Sequence, residues 1–82
     1  MVTPDSIKAS IAGGIACDAI DVSGDGQHFE ALIVSPAFRG LSRIARHRLV
    51  YAALGERMRE EIHALSMTTL TPDERTDRAE RA

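Results

Sequence analysis

Apolar residues recur at two spacings along the chain, and each spacing predicts a different kind of element. Near the amino terminus, isoleucines follow one another every four residues, at Ile7, Ile11 and Ile15. This is the period of a helix. Thr3 can cap that helix ahead of a proline, and Gly13-Gly14 is a typical helix end. We therefore predict the first helix at about residues 4–13.

Alternation of polar and apolar residues predicts three strands. Residues 18–23 alternate, a glycine-rich turn follows, and residues 27–35 alternate again, which indicates a β-hairpin. Residues 62–70 alternate a third time and contain two adjacent threonines, so we predict the third strand there. The side chains on one face of that strand are His63, Leu65 and Met67.

Between the hairpin and the third strand, the helical period returns. Ser42 can cap a long second helix that reaches to about Glu60. The residues within one face of this helix, about 120° wide, are Ile44, His47, Val50, Tyr51, Leu54 and Met58. Because His47 lies inside this stripe, we expect a structural histidine whose ring N–H donates to a backbone carbonyl.

The order of elements is α-β-β-α-β-α, which predicts a small α+β domain with a three-stranded mixed sheet covered by helices on one face. The second and third strands are joined through a helix, so they should run parallel. Thr71 and Glu74 have the spacing of a capping box. The charged carboxy-terminal tail, residues 73–82, has almost no apolar residue to bury, so we predict a frayed helix. We expect one domain over residues 1–82, with its core at about 4–72.

Composition narrows the class of protein. The chain has 82 residues, of which 44% are hydrophobic and 27% charged, as in a folded domain rather than a disordered tail. A single cysteine excludes an internal disulfide framework and fits a reducing compartment. The longest apolar run, Leu49 to Leu54, is far shorter than the ~20 residues that span a membrane. We expect a cytoplasmic protein without membrane contact, and no enzyme, because no catalytic motif is present.

Arginines concentrate in the middle of the chain, although the net charge is −2. Arg43 and Arg46 lie three residues apart on one helix flank, and Arg39 lies just before that helix, so the three guanidinium groups could gather at one end. Such a cluster suits phosphate or carboxylate groups, on DNA or on an acidic partner. The sequence lacks the Gly-x-x-Gly spacing with which a KH domain clamps nucleic acid, which weakens the DNA interpretation.

Three blocks of sequence, in this order and spacing, resemble the BolA family. They read HFEALIVSPAFRG at 28–40, RHRLVYAAL at 46–54 and HALSM at 63–67. The short hairpin loop is similar to the compact IbaG-like branch. The resemblance implies a fold like the type II KH domain. It also implies one of two functions: sharing a [2Fe–2S] cluster with a monothiol glutaredoxin, or DNA-binding regulation of stress response and cell morphology.

For cluster sharing, the resemblance implies a specific set of ligands. The glutaredoxin supplies a cysteine, glutathione supplies a thiolate, and the BolA-like chain supplies a histidine that maps onto His63. A second ligand often lies in the hairpin loop, where this chain offers Asp25 and His28. No cofactor is expected to bind tightly to the isolated protein, and a weak homodimer is a further expectation. Cys17 has no basic neighbour to lower its pKa, so we interpret it as a small apolar side chain.

Overall fold

The computed structural model of the chain describes residues 2–60, 62 and 64–81. Its helices and strands follow the predicted order. They are α1 (Pro4–Gly14), β1 (Ala19–Gly24), β2 (His28–Val34), a 3-10 turn (Pro36–Phe38), α2 (Arg43–Leu54), α3 (Arg57–Glu60), β3 (Ala64–Leu70) and α4 (Pro72–Arg81). The predicted α+β class is thus confirmed, with one short helix more than the sequence indicated. No helix in the described part of the chain is long and apolar enough to cross a membrane.

The sheet has the predicted mixed topology, in the order β1-β2-β3. The hairpin strands β1 and β2 are antiparallel, with Ile20 opposite Ile33, whereas β2 and β3 are parallel, with Ala31 opposite Met67. The parallel pairing follows from the helical crossover between β2 and β3. Strands β1 and β3 therefore form the two edges of the sheet.

One face of the sheet carries the hydrophobic core. Phe29 and Ile33 of β2 are almost fully buried, and they pack in one cluster with Ile7 and Ile11 of α1 and with Val50 of α2. Most side chains that point to the other face are polar and exposed, including Asp21, Glu30, Ser66 and Thr68, whereas Leu32 and Leu70 on that face are half-buried. The helices α1 and α2 therefore cover one face only, as predicted.

The second helix is shorter and turned differently from the prediction. It ends at Leu54, because Gly55 adopts φ 59°, which a helix cannot contain, and α3 starts separately at Arg57. The predicted apolar stripe is also wrong in part, since Ile44 is 66% exposed and Tyr51 41% exposed. The helix buries Val50 and Leu54, and its Ala53 faces Gly14 of α1. Part of the predicted apolar stripe is therefore exposed to solvent.

The tail that was predicted to be frayed forms the helix α4, and polar contacts hold its first turn against the rest of the domain. The capping box forms as expected: the Thr71 hydroxyl accepts from the Glu74 N–H at 3.2 Å, and the Glu74 carboxylate accepts from the Thr71 N–H at 2.9 Å. Two arginines from earlier in the chain then pair with the first turn of α4. The prediction of a frayed end is therefore wrong for the part of α4 next to β3.

Candidate functional site

The hairpin loop is closed by the Asp25 carboxylate. Its Oδ1 accepts hydrogen bonds from the backbone N–H groups of Gln27 and His28, both at 2.9 Å. These two bonds favour the charged form and hold the pKa of the Asp25 carboxyl below its usual value. The geometry is that of an Asx turn, so Asp25 shapes the loop rather than presenting a free carboxylate.

The loop lies beside the start of β3. His28 pairs with Ala64 across the parallel ladder, and the Ala64 N–H donates to the Gln27 carbonyl at 3.2 Å. The His28 side chain is exposed at this end of the sheet. The predicted ligand His63 lies outside the described residues, but its neighbour Ile62 is buried and donates its N–H to the Arg57 carbonyl at 3.0 Å. The structure thus brings the hairpin loop next to Ala64 at the start of β3.

Among the described residues, no three His, Cys, Asp or Glu side chains lie close enough together to hold a metal ion. Cys17 is part-buried, packs against the core, and donates from its Sγ to the Ile15 carbonyl at 3.3 Å. Burial, and then the charge of Asp18, raise the pKa of the Cys17 thiol. A raised pKa keeps the thiol protonated and unreactive, in agreement with the interpretation of Cys17 as a small apolar side chain.

Arg46 has a structural role, because its guanidinium group is bonded within the chain. Its Nε donates to the Leu41 carbonyl at 3.0 Å, one terminal nitrogen donates to the Thr69 carbonyl at 3.1 Å, and both terminal nitrogens bind the Glu74 carboxylate at 2.6 and 3.1 Å. The guanidinium also lies over the Phe38 ring, 6.0 Å from its centroid. The side chain is only 13% exposed, so Arg46 joins α2, β3 and α4 instead of offering its charge to a ligand.

Two of the three arginines predicted to bind a partner or DNA are paired with acidic residues of this chain. Arg39 pairs with Asp73 at 3.2 Å, in a contact where both side chains are largely exposed. Of the three, only Arg43 has no partner among the described residues. The sequence did not show this division, because the acidic residues that bind Arg39 and Arg46 lie 34 and 28 positions further along the chain.

A further arginine that the sequence did not single out holds the helix layer together. Arg57 of α3 donates to the Ser6 carbonyl at 3.0 Å, to the Ser10 hydroxyl at 2.7 Å and to the Ser6 hydroxyl at 3.0 Å. Ser6 also completes the capping box of α1 with Thr3. The only sequence signal was the pair of serines on one side of α1, four positions apart.

His47 is half-buried, and the expected hydrogen bond to a backbone carbonyl is absent among the described residues. Desolvation, and then the positive charge of Arg43, hold the pKa of the imidazole below its ordinary 6.5. The ring therefore does not tie α2 to a backbone carbonyl in the way the sequence suggested. The structural role of His47 stays a prediction.

We expect the stability of the protein to fall as the pH is lowered through 6.5, in part because of His47. The folded state disfavours its protonation, so the unfolded state binds more protons in this window and gains stability relative to the fold. Urea unfolding at pH 7.5 and pH 5.5 should show a smaller difference for His47→Gln than for the parent. An equal pH difference in the two proteins would assign the effect to other groups.

Comparison with known proteins identifies the family. Residues 2–74 match the family model described as BolA-like protein. The chain is 45% identical to Protein BOLA2 of Arabidopsis thaliana, over 82% of this chain and 75% of that protein. It is 34% identical to the Acid stress protein IbaG of Escherichia coli K12, over 85% of this chain and 84% of that protein. The match to the UV-induced protein uvi31 of Schizosaccharomyces pombe is 54% identical but spans 57% of this chain and only 47% of that protein.

A solved structure gives the same result for the fold. The bolA protein homologue from Coxiella burnetii superimposes with a TM-score of 0.81 and 47% identity, over 93% of this chain and 99% of that chain. Sequence and fold agree over nearly the whole length compared. The chain therefore belongs to the BolA family.

Proposed function

We propose that this protein shares a [2Fe–2S] cluster with a monothiol glutaredoxin and contributes His63 as its principal ligand. The observation that supports the proposal is the pairing of His28 with Ala64 beside the hairpin loop. This pairing supports the proposal because it sets the first residue of β2, which is His28, beside the first residue of β3, which follows His63 in the sequence. The remaining ligands would be the partner's cysteine and the thiolate of bound glutathione.

The ligand chemistry favours His28 over Asp25 as the second group. Neutral imidazole is an accepted iron ligand, whereas a carboxylate is a hard oxygen donor that suits magnesium or calcium. The Asp25 carboxylate is already engaged by two backbone N–H groups, and the His28 side chain is exposed beside it. We therefore assign the loop contribution to His28, with Asp25 fixing the turn that presents it.

Regulation through DNA binding is the second hypothesis, and two features of the structure disfavour it. Arg46 and Arg39 are paired with acidic residues of α4, so two of the three predicted phosphate contacts are occupied within the chain. The open face of the sheet carries Asp21 and Glu30, and these charges repel phosphate.

We expect the complex, co-expressed with the host's monothiol glutaredoxin, to show the visible absorption and circular dichroism of a [2Fe–2S] cluster. His63→Ala should lose or alter this spectrum, because removal of an imidazole ligand changes the coordination of one iron. His28→Ala should shorten the lifetime of the cluster. His47→Ala serves as the matched control, since it removes a histidine from α2, away from the hairpin loop, and should leave the spectrum intact.

Two measurements separate ligation from folding. The isolated variants should melt at the same temperature as the parent, and size-exclusion chromatography should show whether each still binds the glutaredoxin. If His63→Ala retains the spectrum and the lifetime of the shared cluster, the ligand assignment is wrong. If the parent binds the glutaredoxin but no cluster forms, the proposed function fails as a whole.

A further inference from the structure

The free edge of β3 carries backbone groups that the sheet does not use. In the parallel ladder, Ala64 donates to the Gln27 carbonyl and the Leu70 carbonyl accepts from Ser35, so every second residue of β3 from Ala64 to Leu70 bonds to β2. The intervening residues, Leu65, Met67 and Thr69, direct their N–H and C=O groups away from β2. Among the described residues, only the Thr69 carbonyl on this edge has a partner, which is Arg46.

This edge lacks the usual protection against strand pairing. The segment from Ala64 to Leu70 contains no charged residue and no proline, the two residue types that most often block an edge. Within the described part of the chain, the N–H groups of Leu65, Met67 and Thr69 and the carbonyls of Leu65 and Met67 have no hydrogen-bond partner. An extended peptide can satisfy such a row by adding a further strand, which is a common mode of peptide recognition.

The carboxy-terminal half of the edge lies at the bottom of a groove. The groove has a volume of about 560 Å³, and it is bordered by Arg43 and His47 of α2 on one side and by Asp77 and Arg78 of α4 on the other. Met67 and Leu70 give its floor an apolar character. We take the occupant to be a single extended chain, because the β3 edge of a second copy would bring its own α2 and α4 against the two helices that line this groove.

The charges along the groove indicate the character of the peptide. The guanidinium groups of Arg43 and Arg78 have no partner among the described residues. The Glu74 carboxylate, in contrast, is neutralised by Arg46 at 2.6 Å. With Asp77 as the second carboxylate, the described lining carries three arginines against two acidic residues and is positive by one charge. Arg43 belongs to α2, which covers the core face of the sheet, whereas Arg78 of α4 also lies against Thr68 of the open face. The two positive charges therefore stand on opposite sides of a bound strand. Acidic side chains on alternate faces of a strand would meet one arginine each.

We propose that the β3 edge binds an extended acidic segment of a partner protein as a fourth strand. The backbone groups of Leu65 and Met67 and the N–H of Thr69 supply the pairing, and Arg43 and Arg78 select for carboxylates. This surface is separate from the hairpin loop, and the inference does not depend on cluster sharing.

The test uses a blocked eight-residue peptide of valine and threonine with two glutamates three positions apart, which places the carboxylates on opposite faces of a strand. Binding is followed by isothermal titration and by amide hydrogen exchange of the isotope-labelled protein. We expect saturable binding and slower exchange of the Leu65, Met67 and Thr69 amides. The matched control peptide has lysines in place of both glutamates and should bind at least about tenfold more weakly, because two charge contacts are lost.

N-methylated peptides make the strand geometry testable without changing the protein. Methylating two amides that face β3 should weaken binding by about tenfold, whereas methylating two amides of the other parity should leave it nearly unchanged. Equal effects of both peptides would overturn strand addition. Equal binding of the lysine peptide would overturn the selection for acidic segments, and so would competition of the glutamate peptide by duplex DNA at the same groove.

Discussion

Replacing Arg46 with alanine is expected to lower the free energy of unfolding by about 2 to 4 kcal/mol. The side chain is 13% exposed and donates four hydrogen bonds, two of them to backbone carbonyls that would lose their partner. Its alanine variant would also lose the contact with Phe38. Urea denaturation should show a lower midpoint with an unchanged slope, which is the signature of lost stability.

Two further variants divide this loss between its parts. Glu74→Gln removes the negative charge and one of the two acceptor oxygens but keeps the other for the Thr71 N–H. Because the Glu74 side chain is 45% exposed, we expect a cost of no more than about 1 kcal/mol. Arg46→Lys keeps the charge but not the planar fork that reaches Leu41, Thr69 and Glu74 together, so it should recover less than half of the loss. The backbone contacts of Arg46 would then account for most of its effect.

The ion pair has a pH signature of its own. Hydrogen bonds from Arg46, and then from the Thr71 backbone, lower the pKa of Glu74 to about 2. A carboxyl whose pKa is lower in the folded state stabilises the fold at neutral pH, and its contribution is lost as the pH falls from 4.5 toward 2. The Glu74→Gln variant should therefore lose less stability than the parent over this acid range.

A different outcome for Arg46→Ala would contradict the structural role of Arg46. If Arg46→Ala unfolds within about 0.5 kcal/mol of the parent and instead loses binding of a partner or of DNA, the guanidinium acts as the sequence analysis first suggested. Salt-dependent titration against duplex DNA would distinguish the two ligands, since each phosphate contact adds about 0.9 to the salt slope.

The helices and strands that depend on a local pattern of apolar residues were predicted correctly from the sequence. The isoleucine period of α1, the hairpin alternation and the helix between β2 and β3 led directly to the mixed sheet, because each depends on residues within a short stretch of chain. The end of α2 was predicted too late, although Gly55 was visible in the sequence. Gly55 adopts a positive φ, and beyond it Arg57 binds Ser6 and Ser10 of α1, which are tertiary contacts that a helical period does not indicate.

The arginine cluster shows why the candidate site was predicted less well. Spacing on a helix places Arg43 and Arg46 on one flank, but it gives no information about which residues of α4 come near them. The capping box at Thr71 and Glu74 was predicted from sequence, and the same Glu74 also binds Arg46, a second role that depends on tertiary packing. The free edge of β3 was likewise hidden, since edge position is a property of strand order.

Adding a single methyl group to Gly14 is expected to destabilise the protein by about 1 to 3 kcal/mol, the usual cost of overpacking. A Cβ at this position would lie 2.7 Å from the Cβ and 3.1 Å from the Cα of Ala53. Ala53 belongs to α2, so the clash can be relieved only by moving α1 and α2 apart. The Ile7 and Ile11 side chains that pack between the helices and the sheet would then lose contacts.

The neighbouring glycine provides a matched control within the same turn of α1. A Cβ on Gly13 meets nothing within 4 Å, so Gly13→Ala should stabilise the protein by about 0.5 kcal/mol through the lower entropy of the unfolded chain. The two substitutions are chemically identical and should have opposite signs. Combining Gly14→Ala with Ala53→Gly restores part of the space, and the pair should therefore cost less than the sum of the single changes. If Gly14→Ala is as stable as Gly13→Ala by thermal and urea unfolding, α1 and α2 do not approach each other as closely as the structure shows.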